Sequence, residues 1–167
     1  MHPNTPFEGL ALEDLFADRS IDIDQMRERL RQVAREEGLP FGERKMTYNS
    51  RLAQELGKWA EAQGQGDRFH HAAFRAYFVD AKNIAEMPIL VDLAASLGLP
   101  AEEARAVLES RNYRKAVDAD WSRARAMGVS AVPTFLFGQS GLVGAQPYQV
   151  LEEFLKTNNV QRRRVTE

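Results

Sequence analysis

The chain has 167 residues, 44% hydrophobic and 28% charged, with 3 histidines and no cysteine. That length suits one globular domain with a real core, and the ordinary composition excludes bulk disorder, collagen-like repeats and disulfide scaffolds. With 22 basic against 24 acidic residues, the net charge of −2 offers no electrostatic case for binding nucleic acid or a membrane surface.

The missing cysteine excludes more: no disulfide, no thiolate nucleophile, and no Cys-ligated zinc or iron–sulfur cluster. The opening Met1-His2-Pro3-Asn4-Thr5-Pro6 lacks the basic and apolar regions of a secretory signal. Apolar stretches fall far short of the ~20 residues that span a bilayer. A soluble, cytoplasmic protein is therefore expected.

In chain order, Leu10–Ala17 reads as a short helical turn. Asp22 followed by Gln25 fits a capping box, and Ile23, Met26, Leu30, Val33 and Ala34 recur at helical spacing until Gly38 stops the helix. Asn49 or Ser50 caps a second helix carrying Leu52, Ala53, Leu56 and Ala60. A third runs from about Asp67 to Val79, rich in aromatic residues. Pro88 opens a fourth as its first residue, ended by Gly98. Ala101–Glu109 is a fifth, with Glu102 and Glu103 in its first turn, and Tyr113–Met127 a sixth.

The pattern then changes. Thr134–Phe137 is a short apolar strand, Gly138–Gly141 a turn and Leu142–Val143 a second strand, which together read as a hairpin. Gln146-Pro147 starts a last helix, and the polar tail beyond Asn159 frays.

Most candidates for chemistry have a plain reading. His70 and His71 are adjacent, so on a helix they diverge by about 100° and cannot chelate one metal; both read as ordinary helix residues, one of them partly buried. Few His, no Cys and no Asp/Glu group at calcium-loop spacing leave no expected metal or cofactor. Gly138, Gly141 and Gly144 lack the Lys-Ser/Thr of a phosphate loop. Asp118 and Asp120 lie about 200° apart on a helix, so they read as solvated surface rather than an acid/base pair. No catalytic residue is expected.

The sharpest segment is Gly128-Val129-Ser130-Ala131-Val132-Pro133-Thr134-Phe135. A proline directly before a strand cannot donate to the ladder and marks a strand start or an irregular edge. If the Val132–Pro133 bond were cis, the flanking amide and carbonyl would turn outward, able to pair with an extended peptide. Cis bonds are only about 5–6% of X-Pro bonds, so residue pattern alone favours a trans proline starting a strand.

That segment, with Val143-Gly144-Ala145-Gln146-Pro147-Tyr148, Met46–Ala53 and Phe74–Phe78, resembles DsbA-like thioredoxin-fold proteins. The closest branch is similar to the FrnE-type dithiol-disulfide oxidoreductases or isomerases. The resemblance covers nearly the whole chain and implies an α/β, mostly helical, partial thioredoxin-like fold. It implies an extended lead-in over 1–9, a helical insertion domain over 10–127, and the C-terminal half of a thioredoxin-like domain, hairpin and helix, over 128–159. A frayed tail then occupies 160–167.

The same resemblance places Val132, Pro133 and Thr134 in the loop that holds the partner during thiol–disulfide exchange, making protein thiols and disulfides the expected partners. The family's strand–Cys-x-x-Cys–helix–strand segment has no counterpart, so the chain is expected to be inactive alone, since exchange needs a thiolate. The family's first strand would pair with Thr134–Phe137. Without it that edge is bare, and self-association is expected.

Two alternatives stay open: a non-catalytic peptide-binding or split-protein module, and a glutathione-dependent isomerase similar to 2-hydroxychromene-2-carboxylate isomerase. The isomerase branch carries an aromatic-Gly-Gln-Asp-type stretch where this chain has Gly144-Ala145-Gln146-Pro147-Tyr148, which favours the oxidoreductase branch.

Overall fold

A computed structural model describes residues 5–161. His2 and the arginines from Arg162 to Arg164 lie outside the described residues. The elements are β1 (Leu10–Ala11), α1 (Leu12–Leu15), α2 (Ile23–Glu36), β2 (Met46–Thr47), α3 (Arg51–Ala62), α4 (Gly66–Phe78), α5 (Met87–Ser96) and α6 (Ala101–Ser110). They continue with α7 (Arg114–Ala126), β3 (Thr134–Phe137), β4 (Ser140–Val143) and α8 (Tyr148–Thr157). The chain divides into two compact units meeting at Asp120, within α7.

In the first unit, the apolar stripes of α3 to α6 meet in one core. Leu56, Ala60, Phe69, Leu90, Ala94 and Ala104 are wholly buried there, with Leu52, Trp59 and Leu108 beside them. Their spacing at three and four residues puts them on one helical face, the condition for an amphipathic helix to bury. The start of α2 follows expectation, since Asp22 accepts a hydrogen bond from the Gln25 amide at 2.9 Å. Gly38 and Gly98 adopt the positive φ that ends helices.

Several elements differ from expectation. Leu10–Ala11 is a strand paired antiparallel with Met46–Thr47, and only Leu12–Leu15 is helical. Two-residue strands have no periodicity to read, and this pairing spans a long stretch of sequence. Asn49 Oδ1 accepts from the Arg51 amide, whereas Ser50 at the cap position makes no side-chain capping bond. Met87, not Pro88, is the first residue of α5. The hairpin turn is tighter than expected: β4 begins at Ser140, and Gly138 supplies the positive φ a two-residue turn needs. Pro147 caps α8 from outside it.

The second unit contains the β3–β4 hairpin and α8. No described residue from Asp120 onward is buried. A hairpin and one helix cannot enclose a core of their own, so Phe135, Leu136, Phe137, Val143, Tyr148 and Leu155 all remain exposed.

Candidate substrate-binding loop and the buried ion cluster

The loop from Ala131 to Thr134 follows Gly128, whose positive φ ends α7. The Val132–Pro133 peptide bond is cis. The Thr134 hydroxyl donates to the Ala131 carbonyl at 2.6 Å, closing the loop on itself. The Gly144 amide donates to the Pro133 carbonyl at 2.8 Å, tying the loop to the chain leaving β4. The Gln146 side-chain amide in turn donates to the Val143 carbonyl at 2.8 Å.

The carbonyls on either side of Val132 are thus engaged within the loop. Val132 itself stands 68% exposed between them. Val132, Pro133 and Thr134, the three residues singled out from the sequence, therefore lie in one exposed loop held from both ends. Nothing in it can exchange protons or attack a bond near neutral pH. What it presents to its surroundings is the exposed Val132 side chain. From Ala126 to Leu151 the sequence has no charged side chain.

The principal electrostatic feature lies in the first unit. Glu55 is wholly buried. Arg111 Nε and Nη2 donate to its two oxygens at 2.6 and 2.7 Å, and Arg51 Nε donates to Oε1 at 2.9 Å. Arg51 also donates to the Arg114 carbonyl at 3.0 Å and pairs with the Asp118 carboxylate. Burial pushes the Glu55 carboxyl up, but the hydrogen bonds from Arg111 and Arg51 outweigh it and hold the group below the usual carboxylate range.

This cluster extends one reading and adds another. Asp118 lies on exposed surface as its spacing suggests, and it is also the outer member of a network reaching from α3 to α7. Glu55 drew no attention in the sequence, although it falls between Leu52 and Trp59 on the apolar stripe of α3. A carboxylate on such a stripe signals a buried partner.

His71 is exposed, and the His70 side chain is half exposed, in keeping with two ordinary helix residues of which one is partly covered. The His70 ring lies over Gly57 of α3, where a built Cβ would meet its Nε2 at 3.2 Å, and its Nε2 stands 3.8 Å from Glu61. Among the described residues no group of His, Asp and Glu could hold a metal ion, and no helix is long and apolar enough to cross a membrane.

The fold and loop place this chain in a known class. It belongs to the family of DsbA-like thioredoxin domains, whose model matches residues 4–156. Among solved structures it is similar to a probable DsbA oxidoreductase of Streptomyces coelicolor. Identity there is 27% with a TM-score of 0.84, covering 99% of this chain and 75% of that one. Among curated proteins it is similar to YwbO of Bacillus subtilis, 31% identical over 106 residues, covering 61% of this chain and 52% of YwbO. It is also similar to the ClpXP adapter protein SpxH of Bacillus subtilis, 35% identical over 107 residues, covering 59% of this chain and 36% of SpxH. The chain thus spans about half or less of the length of these curated relatives.

Proposed function

We propose that this chain is the scaffold and substrate-side part of a FrnE-type thiol–disulfide oxidoreductase, with Val132, Pro133 and Thr134 holding the partner protein and the reacting cysteines lying outside these 167 residues. The observation that carries the reading is the loop at Val132. Its neighbouring carbonyls are taken by Thr134 and Gly144, leaving an exposed segment framed for an extended peptide. Exchange requires a thiolate as nucleophile, and the chain has none to offer.

The chain alone is therefore expected to leave the rate of insulin reduction by dithiothreitol unchanged. A rate above the uncatalysed one would overturn the proposed division of labour. Fused behind a strand–Cys-x-x-Cys–helix–strand segment of a family member, it is expected to gain that activity. Thr134→Val, which removes the bond to Ala131, should then raise KM more than it lowers kcat. A fusion that folds but stays inactive would refute the reading.

One alternative has an observation in its favour. The similarity to an adapter protein supports a non-catalytic peptide-binding module, which would use the same loop without any cysteine. The two readings part at the fusion, since only the first predicts gained activity.

The glutathione-dependent isomerase is the less favoured alternative, because the Gly144-Ala145-Gln146-Pro147-Tyr148 stretch resembles the oxidoreductase branch. No retention on glutathione resin is expected, and specific elution by free glutathione would reverse that preference. A cytoplasmic location and self-association through the exposed edge of β3 complete the proposal.

A further inference from the structure

Residues 5–9 pass from Thr5, only 5% exposed, through a turn at Phe7 and Glu8 into β1. The Gly9 amide closes that turn by donating to the Pro6 carbonyl at 3.1 Å. Two asparagines from separate loops hold the main chain of this stretch. Asn49, between β2 and α3, donates from Nδ2 to the Thr5 carbonyl at 2.9 Å. Asn83, between α4 and α5, donates from Nδ2 to the Phe7 carbonyl at 3.0 Å.

Both side chains are used in the same way. Oδ1 of Asn49 accepts from the Arg51 amide, and Oδ1 of Asn83 from the Ala85 amide, each at 2.9 Å and two residues on. That local turn fixes each side chain through its oxygen and leaves the nitrogen free to reach another segment. A carboxamide supplies an acceptor and a donor at once, whereas a carboxylate supplies only acceptors. The local turns need only the oxygens, and an aspartate would serve them as well. Apart from one bond from Asn83 to Glu86 Oε1 at 3.1 Å, the nitrogens serve the incoming chain. Gly9 adds a steric limit on the same stretch, since a Cβ there would fall 2.5 Å from the Tyr48 ring, the neighbour of Asn49.

We propose that Asn49 and Asn83 are positioning residues: together they clamp the chain entering at Thr5, so that the catalytic segment proposed to precede it meets this unit in one fixed place and direction. The clamp itself stands on the two carbonyl bonds, while its role in turnover rests on the redox reading above. Exchange needs the attacking thiolate in line with the disulfide, and a loosely tethered segment reaches that geometry less often. The clamp therefore acts on turnover, and Val132, Pro133 and Thr134 on partner affinity.

Asn49→Asp and Asn83→Asp separate the two duties, because they keep the oxygens at the starts of α3 and α5 and remove only the donors. In the chain alone, each is expected to speed chymotryptic release of residues 1–7 about fivefold, the effect of one net hydrogen bond on the open population. Phe7 is 53% exposed, so release of its main chain, not access to its ring, limits that cleavage. Cleavage after Phe74, exposed on α4, reports general loosening and is expected to stay unchanged. In the cysteine-bearing fusion, the two substitutions together should lower kcat for insulin reduction by about fivefold or more with KM unchanged, the reverse of the Thr134→Val pattern.

Release of residues 1–7 at the unmodified rate in both variants overturns the clamp. Equal acceleration after Phe7 and Phe74 overturns it as well, since the asparagines would then support the whole unit. A loosened lead-in with kcat unaltered, or with KM alone raised, overturns the positioning role. A fusion that folds but is inactive before any substitution refutes the redox reading and that role with it, and the proteolysis still decides the clamp.

Discussion

Glu55→Ala is expected to destabilise the unit of residues 5–119 by about 3–5 kcal/mol, the cost of breaking a buried ion pair by removing one partner. On thermal unfolding that is a fall on the order of 10 °C. The substitution leaves the Arg111 guanidinium without its bidentate acceptor and takes one of the acceptors of Arg51. Glu55→Gln keeps the shape and one acceptor oxygen, and is expected to cost less.

The two variants also differ from the unmodified protein in their pH dependence. The folded Glu55 carboxyl lies below the ordinary value of 4.5. A depressed carboxylate contributes stability that is complete above the unfolded value and is lost as pH falls through the folded one. The unmodified protein should therefore lose stability below about pH 4.5, and Glu55→Gln should flatten part of that loss. Urea unfolding between pH 3 and 7 decides it. An acid limb of equal slope in both proteins would mean that Glu55 does not carry the term.

The second large effect is expected at Gly42. A Cβ there would fall 2.0 Å from the Val79 carbonyl oxygen and 2.8 Å from its carbon. Both are backbone atoms, so no rotamer change relieves the clash. The approach is held by the Gly42 amide, which donates to the Phe78 carbonyl at 2.9 Å, and by Phe41 stacked on Phe78. Gly42→Ala must push the Leu39–Arg44 segment away from the end of α4, at about 3 kcal/mol, the upper part of the overpacking range.

Gly38 is the contrast. It has nothing within 4 Å of a built Cβ but a φ of +65°, so Gly38→Ala costs only the left-handed backbone term, about 1–2 kcal/mol. Equal losses for the two alanines in urea unfolding would remove the steric argument.

Much of the architecture is legible in the residues because it depends on short-range rules. Asp22 with Gln25, the apolar stripes of α3 and α5, and the glycines after α2 and α5 each act within a turn or two of their neighbours. The hairpin is similarly local: an apolar run, Gly138 and a second run suffice to predict its presence. Its turn length was misjudged, because Gly141 reads as turn chemistry although it lies inside β4.

The β1–β2 pair was illegible for the opposite reason. Leu10 pairs with Thr47 across the whole of α2 in sequence, and neither two-residue strand carries a pattern. Asp118 reads correctly as exposed surface, but its pairing is illegible because helical geometry alone compares it with Asp120 on its own helix. Its partner, Arg51, sits on another helix.

By itself, then, the sequence determined the mostly helical α/β character, the order of the long elements, the family and the loop at Val132, Pro133 and Thr134. It also determined that no thiolate chemistry resides in this chain, since zero cysteine is a matter of composition. Tertiary structure alone decided where Glu55 finds its two arginines, how closely Gly42 approaches Val79, and which carbonyls Asn49 and Asn83 reach. The division follows a physical line. Periodicity, capping and turn preference act between near neighbours in the chain, whereas buried charge, backbone contact and a side-chain tether depend on which distant segments meet.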